Sequence, residues 1–304
     1  MEFRIYTLTK DDNDRRIDRV ARRFLPKLSL AGIYKLLRKG LIRLDGKKAH
    51  PDQKVFEGSK LGIAPTLLDS MKDVPDASPL TRNFVPEVLL ETGDLLFINK
   101  PSGIPVHGTG GLDQLIPQTQ DAEASLSFRT GPLHRLDQDT TGILSFSRSL
   151  DGARWFSNGV CDRQFEKYYL GIIDGTLQSP AEWQDLSEDH KAMITHAQPL
   201  AFSKEPLFPL TLVRFRIITG RKHQIRIQSA LHGHPLTGDT RYGAKPQKET
   251  YFLHAWQMVF PENRLSGLPC RLTAPLPERF KSLLVKTFAD DVLAHIEQGE
   301  LYWN

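Results

Sequence analysis

The stretch HRLDQDTTG, residues 134–142, places an imidazole, a guanidinium and a carboxylate within four positions and ends in a Thr-Thr-Gly turn. Its first carboxylate, Asp137, could act as a nucleophile, a general base, a metal ligand or half of a surface ion pair with Arg135. For a loop aspartate the ordinary reading is an ion pair or a turn cap. Two features favour a site instead: the mixture of chemical groups, and a second arginine-rich stretch at 219–228, TGRKHQIRIQ, with no evident structural purpose.

Metal and cofactor chemistry find little support in the sequence. Four histidines occur late in the chain, but there is no His-Glu-x-x-His pattern, and the two cysteines are far apart. The histidines are His223, His232, His234 and His254, and the cysteines are Cys161 and Cys270. The glycine-rich HGTGG lacks the Lys-Ser/Thr of a phosphate-binding loop, and no Gly-x-Ser-x-Gly elbow is present. We therefore expect no metal and no cofactor, and we expect the histidines to cap helices, to pack or to contact a partner.

The charge is divided unevenly along the chain. Of 304 residues with net charge +4, residues 1–60 hold 16 Lys and Arg against 8 Asp and Glu, which leaves −4 for the remaining 244. A basic head on a slightly acidic body suggests a polyanion partner, although a solvated basic face without a partner would look the same. The composition, the absence of an apolar leader in the first 16 residues and the two separate cysteines predict a cytoplasmic globular protein without a membrane segment.

The N-terminal segment has the pattern of two short helices followed by a hairpin. Apolar residues recur at helical spacing from Ile17, Ser29 is a candidate N-cap for a helix ending at Gly40, and Asp45-Gly46 predicts a hairpin turn. This frame would expose cations able to neutralise phosphates without reading bases, and five of them are the candidate phosphate contacts: Arg16, Arg19, Lys35, Arg38 and Lys39.

The rest of the chain predicts an α+β body with a mostly antiparallel sheet after a linker at 63–85. Strands are expected at 95–98, 142–148, 167–174 and 210–218, with a further short strand at 104–106 running into the glycine-rich loop. Helices are expected around 150–160, 223–232 and 277–297. The predicted units are therefore a domain at 1–62, a linker at 63–85, and a larger domain at 86–304.

The motifs resemble those of known RNA-modifying enzymes. RRIDRV, Ser29 and YKLLRKGLIRLDGKK resemble the S4 RNA-binding domain, although Ser59 replaces the usual Asp after Gly58. HRLDQDTTG resembles the signature of the RluA family of pseudouridine synthases, and four further stretches match that family in order: NKPSGIPVHG, RQFEKYYLGIIDG, TGRKHQIRIQ and GHPLTGDTRYG. The pattern is most similar to the RluC branch, whose members modify large-subunit ribosomal RNA.

The resemblance implies a role for each matching residue. Asp137 would be the catalytic aspartate, Arg135 the arginine inserted where the target uridine is extruded, and Tyr169 the tyrosine packed on the base, with Tyr168 as its alternative. Arg226 would pair with the aspartate, and Ile225 would line the pocket. Three more residues complete the candidate substrate contacts: His134, which would hold the loop in shape, Lys222, where the family commonly has Thr, and His107.

The resemblance implies isomerisation of uridine to pseudouridine in structured RNA, with 23S ribosomal RNA as the expected substrate. The reaction needs no cofactor, because the base leaves C1′, turns and rejoins through C5. We expect a monomer whose partner is RNA. A transfer RNA or small-subunit synthase, a non-catalytic ribosome-assembly factor and a metallohydrolase are the alternatives. Residues 176–209 match the family poorly, so substrate choice is the weakest expectation.

Overall fold

The computed structural model describes residues 2–25, 28–69, 84–119, 128–245 and 250–298, which form an N-terminal module and a larger body. The body is α+β, and its strands pair antiparallel with one exception among the described residues, which confirms the predicted fold class. Within the same ranges, no helix combines the length and the apolar character needed to span a bilayer.

The N-terminal module surrounds its own core. Its elements are β1 (Arg4–Thr7), a 3₁₀ turn (Lys10–Asp12), β2 (Arg15–Arg16), α1 (Ile17–Phe24), α2 (Leu30–Lys39), β3 (Ile42–Leu44), β4 (Lys47–Lys48), β5 (Lys54–Val55), β6 (Lys60–Ile63) and α3 (Pro65–Asp69). Both longer helices bury apolar residues against the sheet β1-β6-β3-β4, so the module has a hydrophobic cluster separate from that of the body.

The ends of α2 follow the predicted local chemistry. The Ser29 side chain accepts a hydrogen bond from the Gly32 backbone at 3.2 Å, and Gly40 ends the helix with φ +70°. Asp45 and Gly46 both have positive φ, as the tight turn between β3 and β4 requires. These features were predicted from sequence because they depend on a few neighbouring residues.

The predicted linker overlaps the module. Residues 65–69 form α3, whose Leu67 packs on the module's core, and residues 70–83 lie outside the described residues. The module also contacts the body directly: the Asp11 carboxylate accepts a hydrogen bond from the Leu150 backbone at 2.9 Å, and Lys10 pairs with Asp151 at 3.1 Å.

The body is built on one sheet with helices against it. Its elements are β7 (Glu87–Glu91), β8 (Leu95–Lys100), α4 (Leu112–Thr119), β9 (Gly131–Pro132), β10 (Thr141–Ser147), α5 (Leu150–Cys161), β11 (Glu166–Asp174), β12 (Ala181–Leu186), β13 (Ala192–Phe202), β14 (Leu210–Ile217), α6 (Gln224–Leu231), β15 (Leu253–Val259), β16 (Arg271–Thr273), α7 (Glu278–Thr287) and α8 (Asp291–Glu297). The strand order is β12-β13-β14-β11-β15-β10-β8-β7.

The centre of this sheet positions the site. The loop that carries Asp137 leads into β10. This strand pairs antiparallel with β8 and parallel with β15, the latter through Thr141–His254 and Gly142–Ala255. Strand β11 lies on the other side of β15, and its residues alternate between the core around Tyr169 and the core under α7.

One local prediction was wrong. The residues after Pro101 do not form a strand at 104–106; they form turns that lead into α4. Gly103, Gly108 and Gly110 all have positive φ, and Pro105 has no N–H to donate to a ladder, so the segment curves around the site instead of joining the sheet.

Candidate active site

The loop carrying Asp137 is fixed at its end by Gly142. This glycine has φ +103°, and a Cβ there would lie 2.2 Å from the Ala255 carbonyl oxygen on β15. Any larger residue would therefore push the loop away from the strand that supports it. The Thr-Thr-Gly ending of the motif is explained by this close approach of two backbones.

A buried lysine clamps the same loop from below. Lys100 has no exposed surface, and its Nζ donates to the carbonyl oxygens of Pro101, Gln138 and Thr140 at 2.7, 2.6 and 3.0 Å. Burial lowers the pKa of Lys100 to about 8, against the opposing influence of Asp139 and Asp137. The carbonyls on either side of Asp139 are thus tied to the end of β8.

His134 has the structural position predicted for it. Its Nε2 accepts a hydrogen bond from the Ser145 backbone at 3.1 Å, and its ring stacks on Phe156 with centroids 5.8 Å apart. Burial lowers the pKa of His134 to about 3, and the nearby charge of Lys167 acts in the same direction. A neutral imidazole therefore holds the start of the loop against β10 and α5.

Asp137 and Arg226 are brought together, but Arg226 is shared. Its Nη1 lies 3.4 Å from Asp137 Oδ2, while its Nε and Nη2 donate to the two oxygens of Asp239 at 2.7 and 2.9 Å. Burial disfavours the charged guanidinium, yet the hydrogen bonds and charge of Asp239 outweigh it and raise the pKa of Arg226. The Tyr251 ring lies under the guanidinium at 4.2 Å. Arg226 is thus a fixed cation beside Asp137.

Tyr169 faces Asp137, whereas Tyr168 does not. Tyr169 lines a cavity of about 60 Å³ with Asp137 and Ile225, and Tyr168 packs in the core on the opposite face of β11. Burial, reinforced by the charge of Asp137, raises the pKa of Tyr169, so its hydroxyl stays protonated. The structure therefore selects Tyr169 over its neighbour as the aromatic wall.

Two wider recesses adjoin the small cavity. One, of about 400 Å³, contains His107, Asp139 and Arg241, and the other is a groove of about 730 Å³ between α5 and β14. Arg135 and Asp137 line all three spaces, so the carboxylate stands where they meet. Five further cations line the groove: Arg163, Lys167, Arg216, Arg221 and Lys222.

The other predicted residues lie in three environments. Arg135 and Lys222 are exposed at the groove, and the Nδ1 of His107 is 3.3 Å from a carboxylate oxygen of Asp113. All five candidate N-terminal cations are exposed on the module: Arg16, Arg19, Lys35, Arg38 and Lys39. Arg16 differs from the others because it donates from Nε and Nη2 to Asp18 at 3.2 and 2.7 Å, so its charge is already paired.

Sequence reasoning missed several groups around Asp137. Asp239 and Tyr242 lie in GHPLTGDTRYG, a quoted motif whose individual residues had no evident role, and Lys100 lies in NKPSGIPVHG. His223 was considered as a metal ligand and was expected instead to cap a helix, to pack or to contact a partner, but not to face Asp137; its Nε2 is 3.6 Å from Asp137 Oδ1. Among the described residues, no three His, Cys, Asp or Glu side chains gather as a metal site.

The remaining late histidines occupy separate places. His232 stacks on Trp183 with centroids 5.0 Å apart, and His234 lies 3.3 Å from the Asp174 carbonyl oxygen. His254 is buried and bonds Thr141 at 2.7 Å, and burial lowers the pKa of its imidazole to about 4. They pack and brace the body, as the sequence suggested.

Comparison with known proteins finds one matching family model and relatives that align over most of their length. Residues 94–231 match the model of the RNA pseudouridylate synthase family. The ribosomal large subunit pseudouridine synthase C of Pasteurella multocida (strain Pm70) is 29% identical, with 92% of this chain and 93% of that protein aligned. The protein of the same name from Escherichia coli (strain K12) is 28% identical, with 93% and 96% aligned.

Solved structures show the same fold over about two thirds of the chain. Human RNA pseudouridylate synthase domain containing 4 superposes with a TM-score of 0.56 at 23% identity, over 66% of this chain and 93% of that one. Human RNA pseudouridylate synthase domain containing 1 superposes with a TM-score of 0.51 at 19% identity, over 66% and 94%.

Proposed function

We propose that this chain, which belongs to the RNA pseudouridine synthase family, isomerises uridine in large-subunit ribosomal RNA. The family match and the relatives confirm the resemblance predicted from the motifs and the enzyme class. The substrate is proposed because the aligned relatives, matched over more than nine tenths of their length, are named for the large ribosomal subunit. The observation that carries the catalytic assignment is the carboxylate of Asp137, paired with Arg226 where three cavities meet.

Asp137 is the group proposed to act on the target nucleoside. Isomerisation breaks the bond from N1 to C1′ and makes a bond from C5 to C1′, while C5 loses a proton and N1 gains one, so there is no net redox change and no hydrolysis. An ionised carboxylate can attack as a nucleophile or take a proton from the sugar. Arg226 Nη1 lies 3.4 Å away, so its positive charge would compensate the charge of the carboxylate when RNA excludes water.

The small cavity is proposed to hold the uracil while it turns. Tyr169 offers an aromatic face, and Ile225 supplies an apolar wall. The base must first leave the RNA stack, at a cost of a few kcal/mol. Arg135 is exposed beside Asp137, where its guanidinium can fill the gap and stack on neighbouring bases.

The groove between α5 and β14 is the proposed path for the RNA strand. Its five cations and Arg135 can neutralise phosphates leading to and from the flipped nucleotide. Of these cations, Arg216 is partly engaged, because its Nη2 lies 2.6 Å from Glu166. Lys222, which replaces a common threonine of the family, adds one positive charge at this edge.

Residues 1–62, which form most of the N-terminal module, are proposed to be an S4-like RNA-binding domain, joined by residues 63–85 to a catalytic domain at 86–304. The support for this proposal is the exposed set of cations on and around α2. We also propose that the protein acts as a monomer. The site of action would be the cytoplasm, where ribosomal RNA is met.

A pseudouridine map tests the proposal. Unmodified transcripts of 23S and 16S ribosomal RNA and a transfer RNA pool are incubated with the protein, treated with carbodiimide and read by primer extension. We expect new stops in 23S RNA that are absent with Asp137→Asn. Stops only in transfer RNA or 16S RNA would replace the substrate assignment, and binding without any stop in naked or particle-bound RNA would favour an assembly factor.

A further inference from the structure

The two oxygens of the Asp137 carboxylate have different neighbours. Oδ2 faces Arg226 Nη1 at 3.4 Å, and Oδ1 faces His223 Nε2 at 3.6 Å. Arg226 makes its two shorter hydrogen bonds to Asp239, so it can hold only one edge of Asp137. A carboxylate held by one shared cation can still rotate, and His223 is placed to restrict that rotation.

The backbone holds His223 in an unusual conformation. Its φ is +54°, in the left-handed region, directly before α6. Non-glycine residues adopt this region rarely, and they keep it where surrounding contacts enforce it. The contact here is a hydrogen bond of 2.7 Å between His223 Nδ1 and the Tyr242 hydroxyl. The ring is therefore aimed by both its backbone and its partner.

The partners on the two ring nitrogens determine the tautomer. Asp137 can only accept, so the nitrogen facing it, Nε2, is favoured as the protonated one. The Tyr242 hydroxyl then donates to the unprotonated Nδ1. We propose that His223 is a positioning residue: its neutral imidazole presents the Nε2–H to Asp137 Oδ1 at 3.6 Å and orients the carboxylate, with Tyr242 setting the tautomer. This inference rests on the proposed role of Asp137.

The charges around His223 favour a neutral ring. Burial lowers the pKa of His223; the charge of Asp137 acts in the opposite direction, and three cations lower the pKa further: Arg226, Arg241 and Lys222. Tyr242 faces the ring from the 3₁₀ turn at Thr240–Tyr242. Protonation at acid pH would put a second full cation against Asp137 and weaken it as a nucleophile or base. The rate of isomerisation should therefore fall as the pH falls through the pKa of His223.

Side-chain variants separate the two ring nitrogens. His223→Gln keeps a donor near the Nε2 position, and His223→Asn keeps a polar group only near Nδ1. We expect the single-turnover rate of His223→Asn to fall about 10- to 100-fold with little change in RNA affinity. His223→Gln should recover most of that loss and should lack the histidine-dependent decline at acid pH. His232→Gln, a histidine that stacks on Trp183 outside the cavity, is the matched control.

A measurement without turnover distinguishes this inference from the proposed function. In protein labelled with ¹⁵N-histidine, we expect the His223 resonance, assigned by its loss in His223→Gln, to show the Nε2–H tautomer. Tyr242→Phe should mix the two tautomers, and Asp137→Asn should lower the pKa of the ring. An Nδ1–H tautomer, or a His223→Gln variant as slow as His223→Asn, would overturn the inference. If the wild-type protein were inactive on every RNA, the proposed function would be overturned. The tautomer of His223 would still show whether its Nε2–H faces Asp137.

Discussion

The cations on α2 of the N-terminal module and Arg226 beside Asp137 are the same residue types in opposite environments. Lys35, Arg38 and Lys39 are exposed on α2, whereas Arg226 is 7% exposed and bound to two carboxylates. Exposed cations that bind the phosphates of a polyanion release its counterions, so their contribution to affinity depends on the salt concentration. A buried, paired cation contributes fixed geometry. Net charge alone does not distinguish these uses, but burial and partners do.

Arg16 shows that the contrast is not one of domains. It lies on the basic module, yet it donates twice to the buried Asp18, which also accepts from the Tyr34 hydroxyl at 3.1 Å. Its first use is to join β2, α1 and α2. We therefore expect it to contribute less to RNA binding than Arg19 or the α2 cations.

The largest effect should come from the carboxylate at the centre of the body. Asp137→Asn should lower the single-turnover rate of isomerisation about 1000-fold or more, because an amide can neither attack nor accept the proton. RNA affinity, measured by filter binding, should stay within about threefold, since other cations supply it. Asp162→Asn, an equal charge change on an exposed residue near the groove, is the control. Retained activity in the Asp137 variant would remove it from the mechanism.

The next effect tests whether Arg226 depends on its second carboxylate. Asp239→Asn should lower the free energy of unfolding by about 3 kcal/mol, because a buried cation loses its main partner. The rate should fall about 100-fold as Arg226 turns towards Asp137 or away from it. Denaturant unfolding and single-turnover kinetics measure both, with the exposed Asp290→Asn as control. An unchanged rate would mean that Asp137 alone holds Arg226 in place.

The contact of Lys100 with the Asp137 loop should mainly affect the free energy of unfolding. Lys100→Met keeps the apolar stem but leaves three carbonyl oxygens without this donor, at a cost of about 2 kcal/mol. The same substitution at the exposed Lys47 should change the unfolding midpoint very little. Equal shifts in the two variants would show that burial of Lys100 does not matter.

The smallest effect on catalysis should come from the exposed cations. The triple variant Lys35→Gln, Arg38→Gln, Lys39→Gln should weaken RNA binding and reduce the slope of log affinity against log salt by about 2 to 3. The rate at saturating RNA should be unchanged. A matched triple change at exposed carboxylates, Glu182, Glu188 and Glu205 to Gln, should not reduce that slope. A loss of rate at saturation would place the module in the active site and end the contrast between the two regions.

The features that the sequence predicted correctly are those determined by a few neighbouring residues. The cap at Ser29, the turn at Asp45-Gly46 and the helix at α5 each follow from adjacent residues, and all three formed. The motifs also predicted that Asp137, Tyr169 and Arg226 share one site, and all three line one cavity. These predictions needed only local spacing or a family signature.

Other features depend on contacts that no local pattern encodes. Asp239 meets Arg226 only because α6 and the following turn fold together, and Tyr251 arrives from before β15. Strands β12 and β13 were not predicted: residues 176–209 match the family motifs poorly, and Pro199 lies at the irregular register between β13 and β14. The orientation of His223 depends on a left-handed backbone that its residue type does not announce.

The parallel pairing of β10 with β15 also determines when the site can exist. Gly142 closes against Ala255, so residues more than a hundred positions apart must meet before the Asp137 loop has its support. When only the first 240 residues have left the ribosome, Asp137, Tyr169 and Arg226 have been synthesised, but the strand that supports the Asp137 loop has not. Because such non-local pairing forms late, the emerging chain lacks an assembled site. The protein can modify RNA only after nearly the whole body has been synthesised.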